Sequence, residues 1–101
     1  MPVSLSTESP GHPASPLSDR LAALIVTYNR LSSLQRCVES LLQHDLDLIC
    51  IVDNASNDGT HQYLAYQSAI THNLLSLRLQ ENQGGAGGFS TGLRHIDNLW
   101  H

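Results

Sequence analysis

The sequence contains no lysine, and five arginines stand against nine acidic residues, which gives a formal net charge of −4. With no basic stripe to neutralise a phosphate backbone, we expect no nucleic-acid partner. No apolar run approaches the roughly 20 residues that a membrane span needs. The first residues also lack the basic start and apolar core of a signal peptide. These absences predict a cytoplasmic protein without a transmembrane segment.

Cysteine is scarce as well. Cys37 and Cys50 lie in apolar stretches and share no metal-ligand spacing, so we predict reduced, buried thiols rather than a disulfide. The six histidines are scattered and form no pair with convincing ligand spacing, so no zinc site is predicted.

Proline is absent after position 16. All four prolines fall among serines and threonines in the first 16 residues. Such a segment cannot bury enough apolar area to offset the entropy of ordering it. We therefore predict a disordered Pro/Ser-rich tail at 1–19, followed by one small domain at 20–101.

The rest of the chain alternates between apolar runs of strand length and segments of helical periodicity. Strands are predicted at 22–26, 48–52 and 75–79, and helices at about 32–44, 60–72 and from 86 or 89 to 99. Ser32 and Gln35 fit a capping box for the first helix, with Asn29 as the alternative start. The order predicts right-handed crossovers and an α/β fold: a partial Rossmann-like, three-layer domain with three parallel strands in the order 3-2-1.

Each predicted strand ends in polar or glycine-rich residues, at 27–30, 53–58 and 82–88. Ligands of open parallel sheets bind outside the carboxyl ends of the strands, so the three clusters are expected on one edge. The glycine-rich segment 84–88 fits a loop that lets a phosphate reach backbone N–H groups. A flexible linker is the alternative at this point.

The two commonest nucleotide motifs do not fit. The dinucleotide fingerprint needs glycines after the first strand, and Ser90 stands where its third glycine would be in the later loop. In the phosphate-binding P-loop, Leu93 replaces the required lysine. A dehydrogenase fragment is therefore disfavoured.

Three segments match another pattern: ALIVTYNR at 23–30, IVDNASNDGT at 51–60 and NQGGAGGF at 82–89. Together they resemble the amino-terminal half of family 2 inverting glycosyltransferases, over about residues 21–95. The third segment is similar to the galactofuranosyl- and rhamnosyltransferase-like branch. The resemblance implies a GT-A fold and a UDP- or dTDP-sugar donor.

The resemblance implies a nucleotide-sugar site with seven residues: Thr27, Tyr28, Arg30, Asp53, Asn82, Gly84 and Gly85. Tyr28 could stack on a uracil or thymine, or only cover the end of the core. Arg30 suits phosphate oxygens, or is a solvated side chain at a helix start.

Asp53 could accept the pyrimidine imide N–H or ribose hydroxyls, or cap the turn that follows it. Asn82 suits a sugar or ribose contact, and Gly84 and Gly85 would let the pyrophosphate or sugar come close. Asp58 is interpreted as a turn residue, and Phe89 as a core anchor.

Complete enzymes of this family bind a divalent cation, Mg or Mn, with an Asp-x-Asp motif, and use an Asp or Glu base. Neither feature is found, and Asp97 in a helical stretch does not fit the motif. We therefore expect a chain truncated before Asp-x-Asp, with no catalytic residues and no activity alone. The complete enzyme would transfer sugar to a glycan acceptor in cell-wall or polysaccharide biosynthesis, with a peripheral membrane location as an option.

Two further expectations follow. A non-catalytic nucleotide-binding or regulatory α/β module is the alternative function, because it would use the same edge of the sheet without chemistry. The first strand of the truncated sheet would also have an unpaired edge, which favours self-association.

Overall fold

The computed structural model describes residues 2–6 and 20–100. Its elements are β1 (Pro2–Ser6), β2 (Leu21–Thr27), α1 (Leu31–Leu41), β3 (Leu48–Asp53), α2 (Thr60–Ile70), β4 (Leu74–Arg78) and α3 (Gly84–Leu99). The sheet order is β1-β2-β3-β4, and β2, β3 and β4 are parallel. The predicted alternation of three parallel strands with three helices, and the 3-2-1 order of those strands, are confirmed.

The three parallel strands end in line. Thr27, the last residue of β2, is paired with Asp53, the last of β3, and Asp53 is paired with Arg78, the last of β4. All six residues of β3 are buried, as its nearly continuous apolar sequence indicates for a central strand covered on both faces. The loops that follow the strands are therefore brought to one edge of the sheet.

Helices cover both faces of the sheet, which gives three layers. Side chains alternate along β3, so Ile49 and Ile51 face α1 and α2, whereas Cys50 and Val52 face α3. The first core also contains Ile25, Leu34, Val38, Leu64 and Leu74. The second also contains Ala22, Leu24, Leu48 and Ile96.

Two glycines let α3 lie close to the sheet. A Cβ atom at Gly88 would stand 2.6 Å from Cγ1 of Val26, and one at Gly92 would overlap Cδ1 of Leu24. Their spacing of four residues puts both on the helix face that contacts β2 and β3. Gly92 is thus a packing residue.

The start of α1 differs from both expectations. The helix begins at Leu31, and its N-cap residue, Arg30, makes no side-chain capping bond. Oδ2 of Asp58, in the loop after β3, instead accepts a hydrogen bond of 3.1 Å from the Leu31 N–H. The capping box of Ser32 and Gln35 is therefore wrong, because the cap comes from a residue 27 positions away.

The glycine-rich segment also differs from its expected form. It was expected as a loop before a helix that starts at 86 or 89, but α3 begins at Gly84. Glycine has a low helix propensity, yet the close packing of Gly88 and Gly92 on the sheet stabilises this helix. The other helices end two or three residues earlier than expected, at Ile70 and Leu41.

The amino-terminal segment contributes a strand that was not expected. β1 pairs antiparallel with β2, from Pro2 opposite Ile25 to Ser6 opposite Leu21. The edge of the first parallel strand, expected to be unpaired, is therefore covered by the same chain. Residues 7–19 of the predicted disordered tail lie outside the described residues.

Both cysteines are free, as predicted, and they lie on opposite faces of the sheet. Burial raises the pKa of the Cys50 thiol to about 11 and also raises that of Cys37. The raised pKa values favour the protonated thiol, which is the less nucleophilic form, although Cys37 is only half-buried. Among the described helices, none is long and apolar enough to cross a membrane.

Candidate functional site

A cavity of about 600 Å³ lies beyond the end of β2, between that strand and the first turns of α3. Its walls come from the end of β2 and the turn after it, from Asn54 just after β3, and from the start of α3, through Val26, Thr27, Tyr28, Arg30, Asn54, Asn82, Gly84, Gly85 and Phe89. Six of the seven predicted site residues line it: Thr27, Tyr28, Arg30, Asn82, Gly84 and Gly85. The aligned ends of the parallel strands thus bring together two segments more than 50 residues apart in the chain.

Asn54 joins the walls of this cavity. Its backbone N–H donates to the carbonyl of Thr27 over 2.8 Å. Its side-chain Nδ2 donates to the carbonyl of Gly84, and its Oδ1 accepts from the N–H of Gln83, both over 2.9 Å. The residue is only 3% exposed, and its two side-chain bonds are partly buried.

The amino terminus of α3 opens onto the cavity. Oδ1 of Asn82 accepts a 2.7 Å hydrogen bond from the Gly84 N–H, and Gly84 adopts a positive φ of 75°. A Cβ atom at Gly85 would meet no atom within 4 Å. Backbone N–H groups in the first turn of a helix have no intrahelical acceptor and favour negative charge. This wall can therefore approach an anionic ligand closely.

The opposite wall carries an aromatic ring and a cation. Tyr28 is 47% exposed although it is large and apolar, and Arg30 is the one charged residue among those that line the cavity. A planar ring, a guanidinium and a helix amino terminus around one cavity suit a ligand with a flat base and a phosphate group.

The turn that carries Tyr28 and Arg30 is fixed by the loop after β3. The Asn29 N–H donates to Oγ of Ser56 over 2.9 Å, and Oδ1 of Asn29 accepts from the Asn57 N–H over 2.8 Å. Asn29 has a positive φ of 48°, which asparagine tolerates better than most residues. The Tyr28 backbone is therefore held in place before any ligand binds.

Asp53 is the predicted site residue that does not line the cavity. It follows Ile49 and Ile51 in the alternation of β3, which puts it on the face of the sheet covered by α1 and α2. Its Oδ1 accepts a 2.9 Å hydrogen bond from the Ser56 N–H, as the turn-capping interpretation requires. Its Oδ2 is buried and has no hydrogen-bond partner among the described residues.

Asp58 acts as a turn residue, as expected. Its Oδ1 accepts hydrogen bonds from the hydroxyl of Thr60 at 2.6 Å and from the Thr60 N–H at 3.2 Å. The Thr60 hydroxyl, followed by the N–H groups of Leu31 and Thr60, lowers the pKa of the Asp58 carboxyl. Asp58 thereby joins the starts of α1 and α2.

Sequence reasoning missed three residues of the cavity: Val26, Asn54 and Phe89. Phe89 was expected as a core anchor, and it does pack against the α3 side of the core while also lining the cavity. Asn54 stood next to Asp53 in a cluster of turn formers. Its partners are 29 and 30 residues away, and no local pattern indicates such a pairing.

The resemblance implied a divalent cation for the complete enzyme and none for this chain. The described residues contain no group of three or more His, Cys, Asp or Glu side chains that could hold a metal ion. The arrangement can bind and orient a ligand, but these residues supply no metal to neutralise a departing diphosphate.

Comparison with known proteins places the fold and the family. No curated protein matches the chain. A solved structure, the mannosyltransferase PcManGT from Pyrobaculum calidifontis in complex with GDP-Man and Mn²⁺, matches with a TM-score of 0.64 and 24% sequence identity. The match covers 71% of this chain and 23% of that chain, so this chain spans about a quarter of the length of its structural neighbour. The model of glycosyl transferase family 2 matches residues 22–100, and the chain therefore belongs to that family.

Proposed function

We propose that this chain is the donor-binding part of an inverting glycosyltransferase that uses a UDP- or dTDP-sugar. The observation that carries the proposal is the shared cavity: an exposed aromatic ring, a cation and an open helix amino terminus line one space. Membership of family 2 supplies the reaction class. The donor nucleotide and the galactofuranosyl- or rhamnosyltransferase-like branch come from the motif resemblance.

In this proposal the ligand spans the cavity. The base lies against the ring of Tyr28, where stacking contributes about 1–3 kcal/mol in other nucleotide binders. The diphosphate lies between Arg30 and the first N–H groups of α3, because both carry positive potential. Asn82 lies within reach of the ribose or the sugar. Its Oδ1 already accepts from the Gly84 N–H, so its Nδ2 is the group that would contact the ligand.

Asp53 is included in the proposed site because its buried Oδ2 has no hydrogen-bond donor among the described residues. A buried carboxylate oxygen without a donor is unusual and costs free energy. A pyrimidine imide N–H or a ribose hydroxyl would supply such a donor. Thr27, its register partner on β2, lines the cavity, so Asp53 lies at the same edge of the sheet, and a contact with the ligand requires its carboxylate to turn from the face covered by α1 and α2.

We propose that sugar transfer requires the complete enzyme. We infer that the described residues bind the donor without turnover, because they offer no metal-ligand group, and family enzymes depend on one. The parent reaction would invert the sugar centre and deliver it to a glycan acceptor. The structural neighbour was solved with GDP-Man and Mn²⁺, which makes guanine a competing base to be tested.

Calorimetric titration of the purified chain with UDP, dTDP, GDP and NAD tests the proposal. We expect UDP or dTDP to bind in the micromolar to millimolar range and NAD more weakly. Tighter binding of GDP would support the proposed site but show that the preferred base is guanine. Failure of all nucleoside diphosphates to bind a demonstrably folded sample would contradict the proposed function.

A non-catalytic nucleotide-binding module is the second candidate. The lack of a metal-ligand group among the described residues favours it. A module would bind UDP as tightly as a UDP-sugar, and Mn²⁺ would not change either affinity. A donor site would gain affinity from the attached sugar, so comparing UDP with UDP-sugars separates the two candidates.

We also propose that loss of β1 favours self-association. This strand covers the edge of β2 through five residue pairs. An open β-sheet edge is a template for pairing with another chain. A chain that keeps β1 in place is therefore expected to remain monomeric more readily than one that loses it.

A further inference from the structure

We propose that Asn54 is a positioning residue: its side-chain amide sets the first turn of α3 relative to the end of β2 and so shapes the cavity. The expected effect of Asn54 on ligand affinity rests on the proposed function. Its effect on the turn at the start of α3 rests on hydrogen-bond geometry alone.

The geometry requires an amide at this position. The side chain must donate to the Gly84 carbonyl and accept from the Gln83 N–H at the same time. The amides of asparagine and glutamine carry an N–H donor and a carbonyl acceptor on one planar group, and glutamine is longer by one methylene. Since the Asn54 backbone N–H also binds the Thr27 carbonyl, the same residue contacts both walls.

The turn that Asn54 holds is poorly fixed by packing. Gly84 has a positive φ, and a Cβ atom added at Gly85 would contact no neighbouring atom. Glycine residues lose much conformational freedom when they are ordered, so this turn needs hydrogen bonds to hold it. The two bonds from Asn54 are partly buried, and a donor or acceptor that loses its partner away from water costs free energy.

The chain offers a matched control in Asn73. Its Nδ2 donates to the Leu46 carbonyl over 2.7 Å, across a similar distance in sequence and also in a partly buried setting. Asn73 lies at the amino end of the sheet, just before β4, and does not line the cavity. Asn54→Ala and Asn73→Ala thus each remove an amide that holds a distant backbone carbonyl, but only the first touches the proposed site.

Two variants separate the loss of the Asn54 hydrogen bonds from the effect of a negative charge at this position. Asn54→Ala removes both bonds and adds no charge. Asn54→Asp keeps the acceptor for the Gln83 N–H but sets a carboxylate oxygen against the Gly84 carbonyl, next to the proposed diphosphate. We expect UDP affinity to fall about tenfold in Asn54→Ala, because the turn is no longer held in its binding form, and further in Asn54→Asp. Asn73→Ala should bind UDP like the wild type.

The test combines UDP titration with amide hydrogen exchange of the ligand-free chain. In Asn54→Ala, the Gln83 and Gly84 amides, which have acceptors in the wild type, should exchange faster while amides in β3 keep their protection. Unchanged exchange at these two amides would overturn the inference whether or not nucleotide binds. Failure of the wild type to bind UDP would contradict the proposed function, and the exchange result would still decide the role of Asn54.

Discussion

The two ends of the sheet are built differently. At the carboxyl end, side chains bind backbone groups in every loop, and all four positive φ angles of the described residues occur there, at Asn29, Ala55, Gly59 and Gly84. At the amino end, the described loops have ordinary backbone angles. One side-chain bond ties a loop to the sheet, from the Leu21 N–H to Asp47, and another joins two loops, from Asn73 to the Leu46 carbonyl.

The difference shows where the molecule carries strain. Residues in sparsely populated backbone regions cost free energy and cluster at binding sites, where the surrounding structure holds them. Here Asn29 and Ala55, the two non-glycine residues with a positive φ, and the buried carboxylate oxygen of Asp53 occur at the same end as the cavity. We therefore expect substitutions at the amino end to leave ligand binding unchanged.

Substitution of Arg30 should give the largest change in binding at the carboxyl end. Arg30→Gln removes the one cation that lines the cavity, and a hydrogen bond to a charged group contributes about 1.5–3 kcal/mol. UDP affinity should fall about 10- to 100-fold, with little change in melting temperature, because the side chain is exposed.

Arg36→Gln is the matched control for that experiment. Arg36 lies on the exposed side of α1 and contacts Ser33, away from the cavity. Calorimetry should give wild-type affinity for this variant. Equal losses in both variants would mean that net charge, rather than the cavity, governs binding.

A second prediction contrasts two glycines of α3. In Gly92→Ala the new methyl group would overlap Leu24 and crowd Val52, so the helix must shift and the free energy of unfolding should fall by about 1–3 kcal/mol. In Gly85→Ala the methyl group points into open space, and the better helix propensity of alanine should add up to about 1 kcal/mol. Urea unfolding of both variants measures the difference. Similar stabilities would show that α3 does not rest on the sheet through Gly92.

The smallest effect concerns Asp58 and pH. Its lowered pKa means that folding favours the carboxylate, so its stabilisation is complete above the ordinary value of 3.8 and is lost as pH falls through the folded-state value. The side-chain amide introduced by Asp58→Asn does not titrate, so this variant should lose less stability than the wild type on acidification below pH 3.8. Thermal unfolding between neutral and acidic pH measures this. Parallel pH profiles would contradict the capping role.

The sequence contained most of the architecture because the apolar runs are short, separate and well spaced. The run at 48–52 identified the central strand β3, and the polar strand ends correctly indicated one edge of the sheet. Six of the seven predicted residues came together there, because the ends of parallel strands are adjacent whatever the length of chain between them.

What the sequence could not show depends on contacts between distant residues. Asp58 caps α1 from 27 residues away, and Asn54 reaches Gly84 across 30. Glycine in a helix is disfavoured locally, so only the packing of Gly88 and Gly92 on the sheet reveals why α3 starts at Gly84. Asp53 was predicted in the cavity, but the alternation of β3 directs it to the other face.

Nuclear magnetic resonance of the labelled chain with UDP tests the central claim most directly, because it reports both walls of the cavity in one sample. We expect intermolecular NOEs between the uracil protons and the Tyr28 ring, together with shifts of the Gly84 and Gly85 amides and none at Asn73. Bound UDP that perturbs Asn73 or the amino end of the sheet, while Tyr28 and Gly85 stay unchanged, would contradict the proposed site.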